Sequence, residues 1–75
     1  MARIEMGTHF REQMRNDRIT VEEVIDTWQA PDIDRPSHDN PDRRVRERHM
    51  PDGSVVAVVG RQTADCLTLV TTWRS

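Results

Sequence analysis

The run Val55-Val56-Ala57-Val58-Val59 limits the fold more than any other stretch of this chain. Four of its five residues are β-branched, and such side chains lose rotamer freedom in a helix but pack well on a pleated surface. Pro51-Asp52-Gly53-Ser54 precedes it and Gly60 follows it, so turn residues bound it on both sides. A strand this apolar belongs at the centre of a sheet, and its neighbours are expected in the sequence on either side.

Arg44 to Met50 reads as a first, very polar strand, and Gly53 supplies the positive φ that a tight hairpin needs. Gly60 to Asp65 turns the chain again before a third strand, Cys66 to Trp73. Strict alternation puts Leu67, Leu69 and Trp73 on one face of it and Cys66, Thr68, Val70 and Thr72 on the other. Upstream, Thr8 to Arg18 carries Phe10 and Met14 on one helical face, with Thr8 as a cap. Thr20-Val21-Glu22-Glu23 forms a capping box ahead of Val24, Ile25 and Trp28. That pattern predicts a helix over 20–29, stopped before Pro31. Residues 31–42, with three prolines and four aspartates, read as a loop. The expected fold is α+β: two short N-terminal helices packed on a three-stranded antiparallel β-meander (44–50, 54–60, 66–73) within a single domain, 1–75. One face of the sheet is expected to stay open to water.

Only 35% of the 75 residues are hydrophobic, so Phe10, Trp28, Trp73, Leu67, Leu69 and scattered Ile, Val and Met must build the core. A self-interface or a protein partner would supplement it. Cys66 is the single cysteine, which precludes an intramolecular disulfide and suits a reducing compartment. No apolar stretch reads as a leader or a membrane span, and a cytoplasmic location is expected.

The net charge of −2 conceals a polarity. Residues 1–40 hold five Arg against nine Asp or Glu, a net −4; residues 41–75 hold six Arg against four acids, a net +2. The acidic total argues against a general coating of nucleic acid, while leaving room for a local basic patch. Arg44, Arg46 and Arg48 alternate along the first strand and so project from one side of the sheet. They form either a charged, solvated edge or a cradle for the phosphates of a nucleic acid. Arg11, Arg15 and Arg18 make a second basic stripe on the first helix. His9, His38 and His49 show no metal-ligand spacing, and neither a metal nor a cofactor is called for. No nucleophile elbow or glycine-rich phosphate loop is present.

The order of features carries a resemblance: His9 before an Arg-bearing helix, Arg18-Ile-Thr-Val-Glu-Glu-Val24, a Pro-containing loop, an Arg-rich strand, Asp52-Gly53, a Val-rich strand and Leu69-Val-Thr-Thr-Trp73. From Thr8 to Trp73 the chain resembles a family of small domains of unknown function often grouped with the BrnT and RelE-like toxins. Gln13 stands where that family carries an arginine. The resemblance implies a RelE/BrnT-like fold and a metal-independent endoribonuclease toxin, restrained by a cognate antitoxin. On it His9 is the proton-transfer residue, Arg46 and Arg48 stabilise phosphate, and Thr71 orients. Arg44, Arg15 and Arg18 are then left to bind RNA. The alternative reading is a non-catalytic protein-interaction module: a phage or mobile-element accessory protein, or an immunity or antitoxin-like binder.

Overall fold

Val55 to Val59 lies at the centre of a five-stranded sheet in the computed structural model, which describes residues 3–75. The elements are β1 (Arg3–Met6), α1 (Thr8–Asn16), α2 (Val21–Gln29), β2 (Ile33–Pro36), β3 (Arg44–His49), β4 (Val55–Gln62) and β5 (Cys66–Arg74). The strand order is β1-β5-β4-β3-β2. β1 runs parallel to β5, and every other pair is antiparallel. The three-stranded meander expected from sequence is therefore corrected to a mixed five-stranded sheet, still α+β. β3, β4 and β5 do pair in sequential order, and the two added strands flank them.

Both added strands escape hydrophobic patterning for the same reason. Each is four residues long and almost wholly exposed, so it is held by backbone pairing more than by burial. β2, Ile-Asp-Arg-Pro, lies inside the stretch read as a loop, and its charges and terminal Pro36 are what an edge strand uses to discourage further pairing.

The two helices differ in how their first turns are secured. α2 begins with the expected capping box: Thr20 Oγ1 accepts from the Glu23 amide at 3.1 Å, and the Thr20 amide donates to Glu23 Oε1 at 3.0 Å. α1 begins one residue before the expected cap, at Gly7, with no side-chain capping bond. Thr8 is its first helical residue.

Register divides the sheet into two unlike faces. Phe10, Met14, Ile19, Val24 and Trp28 pack with Val56, Val58, Leu67 and Leu69, so both helices cover the same side. Val45, Ala57 and Val59 alternate with these residues and face away, yet they too are buried. On that uncovered side one cross-strand row reads Ile33, Glu47, Ala57, Trp73, and the next reads Arg35, Val45, Val59, Thr71.

The alternation expected in β5 breaks at one place. Thr71 pairs with Val59 but Leu69 pairs with Gly60, leaving Val70 as an extra residue opposite the Val59/Gly60 step. One extra residue reverses every side chain beyond it. Leu67 and Leu69 consequently face the helices together with Thr72, whereas Trp73 faces outward and is 37% exposed. The expectation that Trp73 shares the core face of Leu67 and Leu69 is thereby corrected.

Trp28, 5% exposed, lies against Gly60. A Cβ on Gly60 would sit 3.0 Å from two ring carbons of Trp28 and 3.3 Å from Leu69 Cδ2. Gly60 does not have a positive φ, so here the glycine supplies room for a ring, not a turn. Gly60→Ala is expected to destabilise the fold by about 1–3 kcal/mol, because overpacking outweighs the entropy removed from the unfolded chain. Urea unfolding measures it, and an unchanged or raised midpoint would contradict this packing.

Candidate functional site

Arg44, Arg46 and Arg48 do share one side of β3, as alternation requires, and that side faces the helices. Arg46 lies opposite Val58 and Arg48 opposite Val56, both in the helix-covered core. Arg46 Nη1 donates to the Trp28 carbonyl at 2.6 Å, and its guanidinium stands 4.1 Å from the centre of a Trp28 ring. Arg48 Nη1 donates to the Ala30 carbonyl at 2.6 Å. Arg44 forks onto Asp34 through Nε at 3.0 Å and Nη2 at 2.9 Å, and Arg46 Nε lies 3.4 Å from the other oxygen of the same carboxylate. Arg46 and Arg48 satisfy carbonyls at the C-terminal end of α2, where the helix leaves acceptors unpaired and its dipole favours positive charge. Arg44 and Arg46 also tie β2 to the sheet through Asp34.

His9 and Thr71, 62 residues apart in sequence, meet instead at the other end of the sheet, with Nε2 3.4 Å from Oγ1. β1 stops at Met6, opposite Leu69, so the later residues of β5 have no strand beyond them on that side. The first turn of α1 follows at once and brings His9 alongside. His9 is exposed and Thr71 half-buried, and the pair is open to a ligand from solvent. Of the four catalytic candidates, two therefore converge here, while Arg46 and Arg48 point to the helix side.

The remaining candidates do not join this pair. Arg11 and Arg15 lie about 200° and 240° around α1 from His9 at 3.6 residues per turn, so that stripe faces elsewhere. Arg18 sits in the turn between the helices with φ 54, and its carbonyl accepts from Arg74 Nη2 at 2.9 Å. His38 is exposed in the β2–β3 connection, and the His49 amide donates to Asp32 Oδ2 at 2.7 Å. Among the described residues no group of three His, Cys, Asp or Glu could hold a metal ion.

Two residues that the sequence assigned elsewhere neighbour Thr71. Trp73 lies two residues along β5 on the uncovered face. Arg61 lies two residues beyond Val59, the partner of Thr71, because β4 continues through Gly60 to Gln62. Gly60 had marked the end of the strand. The signal that could have found Arg61 is that a β-strand tolerates a glycine where a large side chain crosses it. An imidazole, a hydroxyl and a guanidinium in one neighbourhood can exchange a proton and stabilise an oxyanion.

A family model described as "Domain of unknown function (DUF4258)" matches residues 6–74. No curated protein and no solved structure matches the chain. No helix among the described residues is long and apolar enough to cross a membrane.

Proposed function

We propose for this chain, which belongs to the DUF4258 family, the activity of a metal-independent endoribonuclease of the toxin–antitoxin kind. The observation that carries the reading is the 3.4 Å approach of His9 Nε2 to Thr71 Oγ1 on an accessible edge of the sheet. The grouping with BrnT and RelE-like toxins belongs to this proposal, as does restraint by an antitoxin.

With Nε2 turned to the Thr71 hydroxyl, Nδ1 is the ring nitrogen left for exchange with substrate. It takes the proton of a ribose 2′-hydroxyl as that oxygen attacks the adjacent phosphorus, and the P–O5′ bond breaks. The departing 5′-oxygen takes a proton from solvent or from the imidazolium, giving a 2′,3′-cyclic phosphate and a 5′-hydroxyl. Thr71 acts as a positioning residue for the ring. Arg61, outward on β4 two residues beyond the partner of Thr71, takes the phosphate-stabilising role that the resemblance had given to Arg46 and Arg48.

Incubating labelled RNA with the purified chain in chelator, with and without ribosomes, tests the reading. His9→Ala is expected to lower the cleavage rate about 100-fold, in the range general acid–base catalysis supplies. Thr71→Val is expected to lower it less, through kcat more than KM, with Thr71→Ser restoring most of it and thermal stability nearly unchanged in all three. Cleavage that survives His9→Ala, or none by wild type, overturns it. In the latter case the exposed Ile33 and Trp73, at either end of one row on the uncovered face, favour the protein-interaction module.

A further inference from the structure

We propose that single-stranded RNA crosses the uncovered sheet face along β4 and β5, with one base stacked on Trp73, the scissile phosphate at His9–Thr71 and a flanking phosphate on Arg61. This rests on the endoribonuclease reading and adds to it the residues that hold the substrate.

The three positions fall in a line set by register. Trp73 stands on one side of Thr71, about 7 Å away along β5 at the usual rise per residue. Arg61 stands on the other side, since β4 runs antiparallel and Arg61 is about 7 Å beyond Val59, the partner of Thr71. These spacings are comparable with successive steps of an extended sugar-phosphate chain. An aromatic for a base is thus followed by a hydroxyl with its imidazole and then a guanidinium, placed for two successive phosphates.

The surroundings of each residue suit that occupant. Across the row from Trp73 is Ala57, fully buried and the smallest residue on that face, so no tall side chain of β4 stands beside the indole. β1 ends before this row, which leaves the far side of Trp73 without a strand. An exposed indole on a sheet is a stacking platform that accepts any base.

Among the other cations of this face, Arg35 lies 3.7 Å from Glu47 and Arg3 lies 2.9 Å from Glu5. Arg61 is exposed and has no ion pair among the described residues, so it is the outward cation of β4 and β5 free to take a phosphate. The spacing of Trp73, Thr71 and Arg61 matches the step of an extended single strand, and that regularity favours RNA over a protein partner, for which Trp73 and Ile33 would be the anchors.

The experiment uses the full chain carrying His9→Ala, which slows cleavage about 100-fold and so keeps RNA whole over a titration, and a fluorescent uridine-rich oligonucleotide. Stacking is expected to quench tryptophan emission on titration, and the quench should vanish in Trp73→Phe, because Trp28 lies under α2. Trp73→Ala is expected to weaken binding about 5- to 100-fold, and Trp73→Phe to restore most of it. Arg61→Ala should lower the slope of log affinity against log salt by about 0.7. Melting of each variant reports whether the fold persists, and the quench difference in Trp73→Phe holds the test should Trp73→Ala not fold. RNA bound equally well by wild type, Trp73→Ala and Arg61→Ala overturns this inference while leaving the endoribonuclease reading standing. Absence of any RNA binding by wild type overturns both. A dimer of the wild type that Trp73→Ala converts to monomer, without a quench by RNA, assigns the face to a second copy and overturns it as well.

Discussion

Trp28→Ala is expected to lower the unfolding free energy by about 3–5 kcal/mol, the range for removing a buried tryptophan, and so to leave a domain this small largely unfolded. The ring is buried between α2 and the sheet, fills the space that Gly60 leaves open, and donates from Nε1 to Gln62 Oε1 at 3.2 Å. It also carries the Arg46 guanidinium over one of its rings. Truncation therefore removes apolar burial, opens a cavity over a glycine and strips Arg46 of its aromatic contact. Equilibrium unfolding in urea measures the loss. A midpoint within a few tenths of a molar of wild type would show that the sheet closes over the gap, contrary to this packing.

Arg74→Ala is expected to cost about 2–4 kcal/mol, because the side chain joins three regions of the fold through charge-assisted bonds. Its Nη2 reaches both Glu23 oxygens at 2.8 and 2.9 Å and the Arg18 carbonyl at 2.9 Å, Nε donates to the Asp17 carbonyl at 3.2 Å, and Nη1 donates to Ser54 Oγ at 2.9 Å. The end of β5 is thereby held to the α1–α2 turn and to the β3–β4 hairpin. Arg74→Lys should recover little, since an ammonium cannot reproduce the planar fork. A loss below about 0.5 kcal/mol in Arg74→Ala would place this hub among surface pairs of no consequence.

The same hub gives a pH dependence of known sign. The Glu23 carboxyl is held below its ordinary 4.5, first by the Thr20 amide and then by Arg74, against opposing desolvation. A carboxyl lowered in the folded state binds fewer protons there than in the unfolded chain. Its contribution is therefore complete above about 4.5 and declines as pH falls through the folded value. Asp52, held low by the Ser54 hydroxyl and amide, contributes in the same direction. Glu23→Gln should therefore flatten the acid limb of the stability curve.

What could be read from the sequence follows the physics that patterning detects. Val55 to Val59 and the box from Thr20 to Glu23 are strong local signals, and the central strand and α2 stand where those residues put them. Arg3–Met6 and Ile33–Pro36 offer no apolar period, because edge strands are stabilised by pairing with chain distant in sequence. The side shared by Arg44, Arg46 and Arg48 followed from alternation, but alternation does not say which side a helix will cover. That depended on which of the two faces of β4 received Trp28, and Gly60 decides it. The outward turn of Trp73 was hidden for another reason: a bulge has no residue signature here, since Val70 is as ordinary in a strand as its neighbours.

The meeting of His9 with Thr71 has a consequence in time as well as space. A contact spanning 62 residues is among the last that a growing chain can make, because β5 must be synthesised and seated against β4 before Thr71 has a place to be. α1 can coil early, yet its first turn has nothing to face until then. A nascent or proteolytically shortened chain lacking β5 thus has no His9–Thr71 pair whatever its helices are doing, so the pair reports that the last strand has been seated.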